Sequence, residues 1–127
     1  MKPMFSILAL LACIPRVHGS EIFHTHTLET PNHLISITPR CPEGDVTCDK
    51  VSYQGINKKT GAALKLNGGT TVHTTCADGI TPCRFIGYSF RNGKHTYFIG
   101  EDPDGEKGTL TVKKEGKVIL TERGTWQ

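Results

Sequence analysis

From residue 33 onward, short β-branched and aromatic runs alternate with clusters of Gly, Asn, Asp and Pro. No helical period of about 3.6 residues survives over ten positions, whereas period-two alternation recurs. HLISIT (33–38) alternates cleanly and reads as a strand. Residues 51–56 and 62–66 flank NKKTG (57–61), which reads as a five-residue turn, and NGG (67–69) reads as a turn into residues 70–75. The clearest hairpin signal is Asn92-Gly93 between RFIGYSF and HTYFIG, because both central residues of a tight hairpin turn tolerate positive φ. A two-residue turn there pairs Phe90 with His95, Tyr88 with Tyr97, Ile86 with Ile99 and Arg84 with Glu101. It gathers Ile86, Tyr88, Phe90, Tyr97 and Ile99 on one core face. In TLTVKKEGKVILT (109–121), a three-residue Lys114-Glu115-Gly116 loop groups Leu110, Val112, Val118 and Leu120.

These elements predict an all-β protein of about eight short antiparallel strands, in a meander forming a small barrel or sandwich. Trp126 is expected to pack over one mouth of the core. The chain of 127 residues contains no second domain on this reading. Residues 33–127 form a single disulfide-stapled β-domain, and residues 20–32, polar and without period, form a flexible lead-in.

The N-terminus changes the picture of where the protein acts. Lys2 precedes the apolar run MFSILALLACI (4–14), and VHG (17–19) precedes Ser20. This is the layout of a secretory signal, with cleavage expected after Gly19. The run is too short to span a bilayer, which takes about twenty residues. The alternative is lipidation: Leu10-Leu11-Ala12-Cys13 resembles a bacterial lipobox, and a diacylated Cys13 would hold the same domain on a membrane surface. Ordinary cleavage gives a periplasmic or secreted address, and lipidation an exported domain anchored at a membrane surface.

Export gives meaning to the remaining cysteines, Cys41, Cys48, Cys76 and Cys83. The pairs enclose six residues each, PEGDVT and ADGITP. Both segments are turn-prone, so two local disulfides, Cys41 with Cys48 and Cys76 with Cys83, are expected, although four cysteines allow three connectivities. A zinc site would keep ligand pairs two to four residues apart, and a redox pair would show Cys-x-x-Cys.

Charge and chemistry then narrow the function. Lys and Arg total 15, two of which (Lys2, Arg16) precede residue 20, leaving thirteen against 12 acidic residues. A nucleic-acid partner is not expected from so even a balance. Lys113, Lys114 and Lys117 crowd one hairpin tip, and the acidic EDPDGE (101–106) reads as a solvated turn. No G-x-S-x-G elbow occurs, Ser36, Ser52 and Ser89 sit in strands, and the acidic residues are neighbours on one turn. The chain is therefore read as non-enzymatic and without a cofactor.

Two binding readings remain. The first is an exported β-domain that binds a macromolecular partner, an unknown protein or envelope component, as an inhibitor or envelope accessory protein. Its contact candidates are Ile80 and Asp78 in the Cys76–Cys83 loop and Asn92 and Gly93 in the hairpin. The alternative is a carrier of a metal ion or small ligand, using the barrel mouth or a metal held by His24 and His26, with His33 completing the set. In size, compartment and all-β character the chain is similar to small periplasmic lysozyme inhibitors, which plug an enzyme cleft with a loop. That likeness is one of architecture and rests on no shared motif.

Overall fold

The computed structural model describes residues 23–127. The signal and lipobox readings, Cys13 included, lie outside them. Eight strands follow one another: β1 (His26–Glu29), β2 (His33–Pro39), β3 (Val51–Asn57), β4 (Ala63–Thr75), β5 (Pro82–Asn92), β6 (His95–Glu101), β7 (Lys107–Lys114) and β8 (Lys117–Trp126). Each pairs antiparallel with the next, and β8 returns to β1 through Leu28 opposite Trp126 and Glu29 opposite Thr125. The expected meander is thus a closed barrel rather than a sandwich.

Closure follows from the alternation. Leu28, Ile35, Ile37, Val51, Tyr53, Leu66, Tyr88, Phe90, Ile99, Leu110 and Val112 all point inward and form one core. They are in register around the wall: Leu28 with Ile35, Ile37 with Tyr53, Tyr53 with Leu66, Tyr88 with Ile99, and Ile99 with Leu110. Burying a side chain of this size stabilises the fold by about 1.5–3 kcal/mol. Tyr53 packs at 5.2 Å from Phe90 and 5.7 Å from Tyr97, in tilted ring contacts that add to burial.

Several expectations need correction. Residues 26–29 are not part of a flexible lead-in: Leu28 is fully buried and β1 closes the barrel. A short strand flanked by His and Thr has too few apolar positions to show a period, so its identity depends on the partners on both sides. The Asn67-Gly68-Gly69 turn is instead a bulge within the continuous β4, where the register shifts opposite Val51–Tyr53. In the β5–β6 hairpin Asn92 pairs with His95, so the turn residues are Gly93 and Lys94. With φ of 60° at Gly93 and no positive φ at Lys94, glycine takes the first central position of a II′-type turn. The pairing moves by two positions, to Phe90 with Tyr97 and Tyr88 with Ile99. A shift of two preserves the faces, and the inward grouping of Tyr88, Phe90, Tyr97 and Ile99 stands, but Ile86 is not part of it: β5 is irregular between Phe85 and Gly87, and Phe85 packs against the core in its place.

The β7–β8 turn also differs. Glu115 (φ 51°) and Gly116 (φ 81°) form a two-residue turn that pairs Lys114 with Lys117. The extra residue sits in β8, where Lys113 faces Val118 and Val112 faces Leu120, so Ile119 is bulged. The bulge restores Leu120 to the inner face but leaves Val118 and Ile119 exposed.

Trp126 lies half-buried against the core near the end of β8, over Gly108, as expected of a residue covering one mouth. Its indole Nε1 is buried without a hydrogen-bond partner among the described residues.

Candidate functional site

An up-and-down barrel sorts its loops by parity. At one end lie the β2–β3, β4–β5 and β6–β7 connections and residues 23–25 and 127; at the other lie β1–β2, β3–β4, β5–β6 and β7–β8. Both cysteine loops therefore fall at the same end. Cys41–Cys48 and Cys76–Cys83 are the two disulfides, with sequence separations of 7 each. The local clips are the pairing the spacing led us to expect, and they fit an oxidising environment.

The clips are built differently. Cys48 is buried and Cys41 packs against the core, while Cys48 N–H donates to the Thr71 hydroxyl and its carbonyl accepts from Thr71 N–H. This loop is tied down along the wall. The Cys76–Cys83 loop projects and is ordered from within. Cys76 N–H donates to Thr81 O and Gly79 N–H to Cys76 O. The Asp78 carboxylate accepts from Ile80 N–H and Thr81 N–H, both at 2.9 Å, and from the Thr81 hydroxyl. These bonds, the Thr81 hydroxyl foremost, lower the Asp78 pKa to about 2. Asp78 thus shapes the loop, and its carboxylate is occupied at the base of the tip.

Ile80 does not fold back onto the core: it is 85% exposed. The neighbouring clip carries Val46, 68% exposed, which the sequence reading missed. The signal available in the sequence is an apolar residue enclosed by two cysteines, which Val46 shares with Ile80. Glu43, Asp45 and Asp78 surround these two tips in sequence, giving apolar points in an acidic setting.

Asn92 and Gly93 lie at the other end, so they cannot share a contact surface with Ile80 and Asp78. They border the barrel mouth instead. A cavity of about 350 Å³ opens there, lined among others by His33, Tyr53, Leu64, His95, Tyr97 and Leu110. His33 and Asn57 are in register, as are Asn92 with His95, His95 with Lys114, and Lys114 with Lys117. These pairs form the rim one step beyond Tyr97, Val112 and Leu120.

Below the rim, Glu122 is a buried carboxylate. It accepts from the Thr30 hydroxyl (2.7 Å) and Asn32 N–H (3.1 Å), and its other oxygen lies 3.0 Å from His33 Nδ1. Burial alone would raise its pKa, but the bonds from Thr30 and Asn32 and the adjacent His33 outweigh that and lower it. The position explains the role. β1 spans only four residues, so β8 above Gly124 has no backbone partner on that side among the described residues. Glu122 closes by side chain a seam that the ladder leaves open.

His24 and His26 are exposed near the opposite end of β1 from His33, which is engaged with Glu122. They are not brought together into a site: among the described residues no group of three or more His, Cys, Asp or Glu could hold a metal ion. Nor is any helix of the described residues long and apolar enough to cross a membrane.

Comparison with protein-family models, with curated proteins and with solved structures found no match for the chain.

Proposed function

We propose that this is an exported, non-catalytic binding domain that engages a macromolecular partner through the barrel end bearing both disulfide loops. The observation that carries the reading is Ile80, 85% exposed at the tip of a loop fixed by Cys76–Cys83 and by the Asp78 caps. An isolated exposed isoleucine is unremarkable on a flexible loop. Held in one conformation it loses little entropy on docking, which is what a protein–protein anchor requires. Val46 on the adjoining clipped loop offers a second apolar point, and the surrounding carboxylates favour a partner with a basic surface. An inhibitor or an envelope accessory protein fits this description.

The test is affinity capture with the immobilised oxidised domain 20–127, using envelope and secretion extracts, followed by titration of any retained protein. A single partner held stoichiometrically and lost with Ile80→Asp supports the reading. Retention unaffected by both Ile80→Asp and Val46→Asp, or an empty column, overturns it.

A further inference from the structure

The mouth at the other end of the barrel has the makings of a separate small-molecule site. Its cavity of about 350 Å³ is at the small end of the range for ligand pockets, about 300–1,000 Å³. Its walls are apolar and aromatic: Leu64, Tyr97, Leu110, Val112 and Leu120, with Tyr53 below. Tyr53 is 4% exposed, yet its hydroxyl makes no hydrogen bond among the described residues. It is directed toward Gly55, 2.6 Å from where a Cβ would stand there, so the glycine leaves the hydroxyl room at the cavity wall. Burial, then Tyr97 and Glu122, raise the Tyr53 pKa, so this hydroxyl is a proton donor at any physiological pH. The oxygen is not one of the buried polar atoms left without a partner; it opens onto the cavity and is free to donate to an acceptor held there.

The rim supplies the second requirement. His95 pairs with Lys114, and Lys114 with Lys117, on the face that continues from Val112 into the cavity. Neither lysine makes an ion pair among the described residues. The one carboxylate beneath the rim, Glu122, is already saturated by Thr30, Asn32 and His33. The mouth therefore presents uncompensated positive charge above an apolar, aromatic shaft with a proton donor in its wall. Two residues separate the rim position Asn57 from Gly55 on β3, about 7 Å along the strand. That is close to the length of a fused two-ring system.

We propose that the barrel mouth binds a small aromatic carboxylic acid. The carboxylate meets Lys114 and Lys117 at the rim, the ring fills the shaft between Leu64, Tyr97 and Leu110, and an oxygen on the far side of the ring accepts from Tyr53. This site is independent of the clipped-loop end and stands or falls without it.

The probe is 6-methoxy-2-naphthoate, followed by its fluorescence with the oxidised domain, beside its uncharged carboxamide and 2-naphthoate. Saturable binding of the acid, at least tenfold weaker binding of the carboxamide, and at least tenfold weakening by Lys114→Glu support the site. Tyr53→Phe should weaken the methoxy acid several-fold and leave 2-naphthoate unchanged. Leu64→Trp, which fills the shaft, should abolish binding with the thermal midpoint retained; Lys114→Glu, on the exposed rim, provides the same test without touching the core. Absence of saturable binding overturns the proposal. So does equal affinity for acid and carboxamide, or indifference to Lys114→Glu. Indifference of the methoxy acid to Tyr53→Phe overturns the depth assigned to the ring. Ile80→Asp serves as the control and leaves all these titrations unchanged.

Discussion

Glu122 offers the sharpest test of how this barrel stays closed. In Glu122→Ala the Thr30 hydroxyl, on a residue 2% exposed, loses its 2.7 Å acceptor, Asn32 N–H loses its 3.1 Å acceptor, and His33 Nδ1 loses its partner. Hydrogen bonds to a charged group contribute about 1.5–3 kcal/mol each, and a buried donor left unsatisfied costs about 1–3 kcal/mol. Thr30 retains a longer bond to His33 O at 3.2 Å, and Asn32 is only half-buried, which places the total near the lower end. The expected loss is about 3 kcal/mol, a large share of the 5–15 kcal/mol typical of a domain. Glu122→Gln keeps an acceptor for Thr30 and Asn32 and forfeits the charge, so it should cost about 1 kcal/mol. Urea unfolding at pH 7, monitored by far-UV circular dichroism and Trp126 fluorescence, reads both values. Hydrogen exchange locates the effect, since the amides of Thr27 to Glu29 should lose protection before those of β6 and β7. An alanine variant within 1 kcal/mol of the parent, or a loss of protection spread evenly over all strands, would refute the idea that this carboxylate holds the seam.

Other outcomes follow from the same structure. Because the folded Glu122 pKa is lowered, its contribution is present above the unfolded carboxyl value, about 4.3, and disappears as pH falls through the folded value; Glu122→Gln should therefore flatten the acid limb of a stability–pH profile. Ile80→Asp should move the unfolding free energy by less than about 0.5 kcal/mol, as expected of an exposed site, and a larger loss would return Ile80 to the core. Replacing either cysteine pair by serine removes a loop constraint of about 2.5 kcal/mol; the Cys41–Cys48 replacement should cost more in parallel urea titrations, because that bridge also packs on the core. Gly69→Ala would set a Cβ 2.2 Å from the Phe90 ring and should cost about 1–3 kcal/mol, partly recovered in combination with Phe90→Leu.

What could be read from the chain, and what could not, divides along physical lines. Strand class, the meander and both clips were legible because period-two alternation and short cysteine spacings are local signals. The face of Tyr88, Phe90, Tyr97 and Ile99 survived a misplaced turn, because Gly93-Lys94 in place of Asn92-Gly93 moved the register by two and parity absorbed the change, whereas Ile86 gave way to Phe85 where β5 is irregular. At Ile119 the bulge altered parity, and Val118, expected inside, lies outside. β1 was invisible because four residues between histidines and threonines carry no period of their own. The site was legible in part. Ile80 was found from its place between cysteines, but Val46 was not, although it stands in the equivalent loop. The mouth was named only as a location, since nothing local ties Tyr53 to His95 or His33 to Glu122 across eighty-nine positions.

The β1–β8 seam also dictates an order of events during folding. Every other neighbouring pair of strands is adjacent in sequence, so seven hairpins can form with short loop closures, whereas Leu28 must find Trp126 across nearly the whole chain. Seam formation is then the last step, and before it the nascent sheet has two bare edges, β1 and β8, able to pair with another molecule. An interaction made after the rate-limiting barrier slows unfolding without speeding folding. On that basis Glu122 acts as a kinetic clasp: its loss should appear almost entirely in the unfolding limb of a chevron plot, and should shorten the lifetime of the closed barrel far more than it delays its birth.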